Sequence, residues 1–322
     1  MSRIALHSPV WRLSLPDSAA ALAIAPDGRR LAVATLGGDV VLVDLVTGKL
    51  GPSGAHHQGG ALAVAWSPSG DALATAGQDG RVCLLGAGCD AAPVYRRFGR
   101  EWIEHLAWAP DGTHLAIAAG RVVHVVAKTG ETIIEATGRS TIAALAWFSR
   151  ADTLAVAVNG GVRLLSLAKG KAPVDLTWPG AILSLAVSPG DRYVTAGCQG
   201  RSVVLWTGPT SDGVEISGFD TKVRQVAWNP SGTLLAAVGG HYVPLWAFTE
   251  NGPASTKPSI LQGHKASITG LAFLDNDSLA SIDKGGRFLT WRKQRGKWAA
   301  DGEWSGDVPL IGLTATLSYA GA

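Results

Sequence analysis

The sequence predicts an all-β fold built from repeated sheets, and three observations carry that prediction. A Pro/Asp/Gly turn recurs along the chain, alternating apolar runs flank it, and Gly makes up 41 of the 322 residues. The turn reads Ala-Pro-Asp-Gly at 25–28, Ser-Pro-Ser-Gly at 67–70, Ala-Pro-Asp-Gly at 109–112 and Asn-Pro-Ser-Gly at 229–232. Weaker copies are Ser149-Arg150-Ala151-Asp152, Ser188-Pro189-Gly190-Asp191 and Leu274-Asp275-Asn276-Asp277. Their second residues, at 26, 68, 110, 150, 189, 230 and 275, are spaced by 42, 42, 40, 39, 41 and 45.

Each repeat has the same grammar. A short alternating run, such as Ala61-Leu62-Ala63-Val64-Ala65-Trp66, leads into the turn. Pro presets φ there, Asp or Ser bonds nearby backbone, and Gly accepts a positive φ. A second run, such as Asp71–Ala76, leads to a second turn at Gly37-Gly38, Asp79-Gly80, Gly160-Gly161, Gly239-Gly240 or Gly285-Gly286. A third run follows, such as Arg81–Leu85, and a less regular fourth leads on to the next copy. Period-two patterning with hairpin punctuation means strands. Four strands in about 40 residues make a propeller blade. A lone sheet exposes both faces and is marginal in water, so stacking blades around an axis buries them. The chain is therefore expected to be one domain over 1–322, a seven-bladed β-propeller of four-stranded antiparallel blades closed by overlap of its termini. Trp66, Trp108, Trp147 and Trp228 stand just before the first turn and are read as blade-to-blade packing.

The pattern resembles the WD-repeat β-propellers over about residues 10–305. Third strands end at Val43-Asp44, Trp206-Thr207, Trp246-Ala247 and Trp291-Arg292, so three keep the family's Trp and one its Asp. The family's Gly-His step stands at Gly263-His264, and His57 fills the same place ahead of Trp66. The resemblance implies that this His bonds a Ser/Thr on the second strand and an Asp in the next turn, ordering the blade. Repeat two offers His57, Thr75 and Asp79 for this. Repeat seven offers His264, with Gly285 where the turn Asp is expected. The resemblance also implies closure by terminal overlap. The run Val10–Leu15 is expected to be the outer strand of the last blade, with Lys297–Trp304 as the alternative. The tail 307–322 is either one more strand on the ring or a docking arm. Pro244 is a misfit in a third strand, which needs its N–H.

The 28 basic and 25 acidic residues leave a net charge of +3, too balanced for a general nucleic-acid binder. Three cysteines imply no disulfide framework. No leader and no run of 18 apolar residues is read, so neither secretion nor a spanning helix is expected. The Ala- and Gly-rich usage suggests a bacterial cytoplasmic source.

Catalytic motifs are absent: there is no His-Glu-x-x-His, Gly-x-Ser-x-Gly, Cys-x-x-Cys or phosphate-cradling Gly-rich loop before a helix. Cys83 reads as a core residue and Cys198 as a turn residue. No cofactor is expected. A metal reading would use His105, His114 and His124 of repeat three, which lie on adjacent strands but lack an accompanying carboxylate or thiol. Arg81, Arg121, Arg201 and Arg287 each follow the second turn, with His241 in a similar place. Four arginines on one propeller face would make a rim suited to carboxylates, with Trp102 as an interface anchor. The expected function is a non-catalytic protein-interaction scaffold whose partner is another protein, with an acidic surface. The alternatives are a small-molecule or hydrolytic propeller enzyme using its central channel, and a metal-handling protein. Oligomeric state stays open.

Overall fold

The computed structural model describes residues 5–6, 11–86, 94–208, 212–255 and 257–306. Every regular element among them is a β-strand. The first sheet runs Ala19–Ile24, Arg30–Thr35, Asp39–Asp44 and Leu50–Ala55; the second, Ala61–Trp66, Ala72–Gly77, Arg81–Gly86 and Val94–Arg97. The third runs Ile103–Trp108, His114–Ala119, Val122–Ala127 and Thr132–Thr137. The fourth has six strands: Ala144–Trp147, Thr153–Ser166, Val174–Val187, Tyr193–Cys198, Val203–Thr207 and Val214–Ile216. The fifth holds Gln225–Trp228, Leu234–Val238 and Tyr242–Thr249, the last paired with both Gly252–Pro253 and Ser259–Gln262. The sixth holds Ile268–Phe273, Ser278–Asp283, Arg287–Gln294, Lys297–Ser305 and Ala5–Leu6. The chain divides into two compact units: one holds the first three sheets and the start of the fourth, the other the rest.

This corrects the expected count. The strands form six hydrogen-bonded sheets, not seven four-stranded blades, because repeats four and five share the six-stranded sheet. The physical reason lies in two strands of 14 residues each, Thr153–Ser166 and Val174–Val187. Gly160, Gly161 and Gly180 lie inside them with φ of 94°, 136° and 104°, which only a residue without Cβ adopts easily. The first strand therefore continues through Gly160-Gly161, where a turn is expected from the sequence, and the second through Gly180.

The repeated first turn is regular in six copies. A backbone bond of 2.9–3.0 Å closes it at Ala25–Gly28, Ser67–Gly70, Ala109–Gly112, Phe148–Ala151, Ser188–Asp191 and Asn229–Gly232. Its last residue takes a positive φ each time, so Ala151 (59°) and Asp191 (65°) carry strain where the other copies have Gly. The hairpin joining Arg287–Gln294 to Lys297–Ser305 is a two-residue turn, Arg295-Gly296, with φ of 49° and 79°. Asn tolerates this conformation better than Arg. Arg295→Asn is expected to raise stability by about 0.5 to 1 kcal/mol, read as a shift in the urea midpoint; an unchanged or lowered midpoint would count against strain at this turn.

The recurrent tryptophans stitch successive sheets. The indole N–H of Trp66 donates to Ala23 O (3.1 Å), that of Trp108 to Ala65 O (3.1 Å) and that of Trp147 to Ala107 O (2.9 Å). Trp228 instead donates to Thr195 Oγ1 at 3.1 Å. Trp66 and Trp147 are buried and Trp108 and Trp228 half-buried, and each satisfies its one donor at the neighbouring sheet. Small residues such as Ala32, Ala34, Ala74, Ala76, Ala116 and Ala236 are fully buried beside them, allowing close sheet packing.

The N-terminal expectation is also corrected. Residues 11–15 form no strand. Trp11, Leu13 and Leu15 pack on Val33, Val41 and Val43 of the first sheet, and the Trp11 indole donates to Leu45 O at 3.0 Å. The alternate apolar positions of this run are used to cover a face rather than to extend a ladder. In the sixth sheet Lys297–Ser305 fills the outer place along Arg287–Gln294, and Ala5–Leu6 pairs beyond it, parallel to Gly302–Glu303. The tail 307–322 and Cys89 lie outside the described residues. Pro244 is accommodated because the ladder between Leu234–Val238 and Tyr242–Thr249 ends at Leu245, and Pro244 pairs only with Ile260.

Candidate interaction surface

Arg81 and Arg287 begin third strands, whereas Arg121 and Arg201 stand in the preceding turn, one and two residues before theirs. In the unit holding the second and third sheets, the turns that carry two of the four are bonded through the backbone to the connection that carries Trp102. Gly80 O accepts the Phe98 N–H at 2.9 Å, and Trp102 O accepts the Gly120 N–H at 3.1 Å. The connection 98–102 is therefore laced on one side to the Arg81 turn and on the other to the Arg121 turn. Trp102 is 53% exposed, an unusual state for so large an apolar ring. Arg81 is half-buried and Arg121 exposed, and neither forms an ion pair among the described residues. Glu101 stands in the same connection, exposed, and pairs with neither.

The remaining members belong to the other unit and differ from one another. Arg201 is exposed and held at a φ of 61°. His241 is exposed, 3.6 Å from Asp220 and edge-on to Tyr242. Arg287 is committed within its own sheet: Nε and Nη2 reach Glu303 Oε1 at 2.9 and 2.8 Å, and Nη1 donates to Gly263 O. Its guanidinium holds the outer strand instead of facing a partner, a pairing no local sequence signal announces.

The histidine sets are geometrically complete. His57 Nδ1 lies 3.0 Å from Asp79 Oδ1, and its Nε2 lies 2.9 Å from Thr75 Oγ1. His264 Nδ1 lies 2.7 Å from Asp283 Oδ2, and its Nε2 lies 2.7 Å from Ser281 Oγ. Ser281 Oγ also accepts the Trp291 indole N–H at 2.8 Å. The carboxylate missing at Gly285 is thus supplied by Asp283, two residues earlier and at the end of a strand. Its spacing from Ser281 differs from that between Thr75 and Asp79, which hid it. Ser281 two residues before an Asp, with Trp291 ten residues on, was the available signal.

These contacts constrain the protons of the set. Trp291 donates to Ser281 Oγ and Nδ1–H donates to Asp283, while Ser281 Oγ, with two lone pairs and one O–H, serves Nε2 either as donor to the neutral ring or as acceptor from the protonated one. Burial pushes the His264 pKa down from 6.5, and the Asp283 carboxylate only partly opposes this. Burial raises the Asp283 pKa, but the Arg287 N–H and His264 outweigh it and hold the carboxyl below 3.8.

The three histidines of repeat three do not converge. His105 pairs with Ala118 and His124 with Ile117, and adjacent residues of one strand face opposite sides of a sheet. His124 lies 3.5 Å from Glu135 and against Phe98, whereas His114 bonds Thr113 and approaches Trp147. Burial lowers the pKa of both His105 and His124. No group of three or more His, Cys, Asp or Glu among the described residues could hold a metal ion. Cys83 and Cys198 are both buried, and burial pushes the Cys198 thiol up to about 11, which disfavours the reactive thiolate.

The sequence profile described as "WD domain, G-beta repeat" matches residues 50–84 and 175–207, the segments that enclose Thr75, Asp79 and the Trp206 strand. The chain carries WD40 repeats. This WD40-repeat chain is 28% identical over 127 residues to the U3 small nucleolar RNA-associated protein 4 homolog of Homo sapiens, covering 36% of this chain and 18% of that protein. It is 26% identical over 199 residues to the protein transport protein sec13 of Aspergillus clavatus, covering 59% of this chain and 62% of that protein. To the protein transport protein sec13 of Aspergillus oryzae it is 34% identical over 77 residues, 22% of this chain and 24% of that protein. The WD40-repeat chain therefore spans less than two thirds of the length of each of these relatives. They come from a human and two fungi, and the expected bacterial source finds no support in them. No helix among the described residues is long and apolar enough to cross a membrane.

Proposed function

We propose that this WD40-repeat chain is a non-catalytic scaffold that holds another protein, with Trp102, Arg81 and Arg121 at the centre of the contact. The observation that carries the reading is the exposed indole of Trp102 on a connection whose backbone is bonded to the Arg81 and Arg121 turns, with neither arginine in an ion pair among the described residues. Trp and Arg are the residue types that most often dominate binding energy at protein interfaces. Two unneutralised guanidiniums favour a partner with carboxylates opposite them. Arg201 and His241 extend the basic character in the other unit, and Arg287 belongs to blade ordering together with His57, Thr75, Asp79 and His264. The WD40 class points to protein-interaction scaffolding in general. The relatives' names, protein transport and small nucleolar RNA association, fix neither one partner nor a cytoplasmic location.

The test is affinity capture from the source cell with the wild-type chain, Trp102→Ala, and the pair Arg81→Glu with Arg121→Glu. A stoichiometric protein partner should be recovered by the wild type. Trp102→Ala should weaken its binding at least tenfold, as losing an interface anchor costs about 2 kcal/mol. The charge reversals should weaken it most at low salt, where exposed charges are least screened. Equal recovery by all three proteins would remove this surface from the reading.

A further inference from the structure

A second set of cations, distinct from the proposed partner contact and independent of it, lines a preformed cavity. The cavity, of about 560 Å³, lies between the fifth and sixth sheets within one compact unit. Lys222, Arg224 and Lys284 line it, together with Ser267 and the Gly239-Gly240 turn, and no acidic residue does. None of the three cations forms an ion pair among the described residues. The nearby carboxylate of Asp220 lies outside the lining, 3.6 Å from His241.

The walls are fixed before any ligand arrives. Ile268 N–H donates to Gly240 O at 2.9 Å, Lys284 N–H to Ser267 O at 3.0 Å, and Arg224 N–H to Val238 O at 3.1 Å. The Gln225 side chain bridges the two sheets, donating to Leu271 O at 2.7 Å and accepting Leu271 N–H at 2.9 Å. Gln225 is thereby consumed, while the Ser267 hydroxyl remains a donor at the wall. Three like charges around one cavity repel each other, and this is relieved by a ligand of more than one negative charge. A phosphate monoester carries about −1.5 to −2 at neutral pH and several acceptor oxygens. A single carboxylate would leave two of the cations uncompensated.

We infer that this cavity is a binding site for a phosphate monoester group, carried either by a small phosphorylated molecule or by a phosphorylated side chain. The experiment is an NMR titration of the full chain with inorganic phosphate against chloride at matched ionic strength. Saturable shifts are expected at the amides of 221–225, 239–240, 267–269 and 284. Lys222→Gln and Lys284→Gln are each expected to weaken binding roughly tenfold. Both are exposed, and Lys284 bonds Ser267 through its backbone, so either variant should keep the wild-type melting temperature. Lys293→Gln, outside the cavity, should leave the titration unchanged. A second titration with a phosphoserine hexapeptide assigns the source: tighter binding than inorganic phosphate indicates a phosphorylated side chain, and equal or weaker binding a small molecule. Either result supports the site. Shifts equal to those with chloride, or unaltered affinity in both Gln variants, would overturn it. Even if a variant failed to fold, the wild-type comparison of phosphate with chloride decides the matter.

Discussion

Replacing His264 with leucine is expected to destabilise the chain by about 3 kcal/mol, the cost of leaving a buried charged acceptor and a buried hydroxyl without their common partner. The side chains of His264 and Asp283 are 0% and 1% exposed, so the substitution leaves the bond to Asp283 Oδ2 and one bond of the Ser281 hydroxyl unmade away from water. Leucine at both 264 and 283 should cost less than the sum of the single changes, since the stranded charge is gone. Urea midpoints of the four proteins measure this; additive costs, or a single cost below about 1 kcal/mol, would rule out a coupled network. The same network sets a pH dependence. The folded pKa of His264 is depressed, so between that value and 6.5 the unfolded chain binds a proton that the folded chain excludes. Stability should therefore fall as pH drops from 6.5. Asp283 is also depressed, and its contribution is present above 3.8 and lost as pH falls through its folded value. In His264→Leu the first of these losses should be smaller than in the wild type.

Gly38→Ala is expected to cost about 3 kcal/mol, combining left-handed strain with overpacking. Gly38 has a φ of +95°, and a Cβ there would stand 2.3 Å from His57 O and 2.5 Å from Gly59 O. Both obstacles are backbone, which cannot rotate away. Gly38 O also accepts the N–H groups of His56 and His57 at 3.2 Å, so moving the turn would disturb the segment that carries the His57 set. Gly28→Ala is the comparison: its φ is +68°, but nothing lies within 4 Å of the added Cβ. It should cost only about 1 to 2 kcal/mol. Equal costs for the two variants would mean that the close approach of Gly38 to the next repeat contributes nothing.

Much of the candidate surface was legible from short-range pattern. His57, Thr75 and Asp79 stand at spacings that the WD-repeat resemblance supplies, and they lie within hydrogen-bond distance. Arg81 and Arg121 follow turns whose residues announce themselves. Trp102 is expected on the same face from the sequence, but which arginine turns its connection is bonded to was not visible, because that depends on two carbonyls, Gly80 O and Trp102 O, meeting the amides of Phe98 and Gly120. Arg287 reads like its three counterparts yet is engaged by Glu303, sixteen residues on and across a strand pair. Asp283 escaped because a hydrogen bond requires a position in space, and a strand end supplied what a turn supplied in repeat two.

The sequence by itself determined the strands, the turns and their period, because each depends on a few adjacent residues whose φ preferences and alternation are local. Only the tertiary structure decided how those strands were shared among sheets. Whether a chain stops or continues at Gly160, Gly161 or Gly180 is not a property of glycine, which permits either. It depends on the hydrogen-bond partner the backbone finds. The same holds for residues 11–15, whose alternating apolar side chains suit a ladder edge or a sheet face equally well. They cover Val33, Val41 and Val43 of the first sheet, where the Trp11 indole also finds an acceptor in Leu45 O.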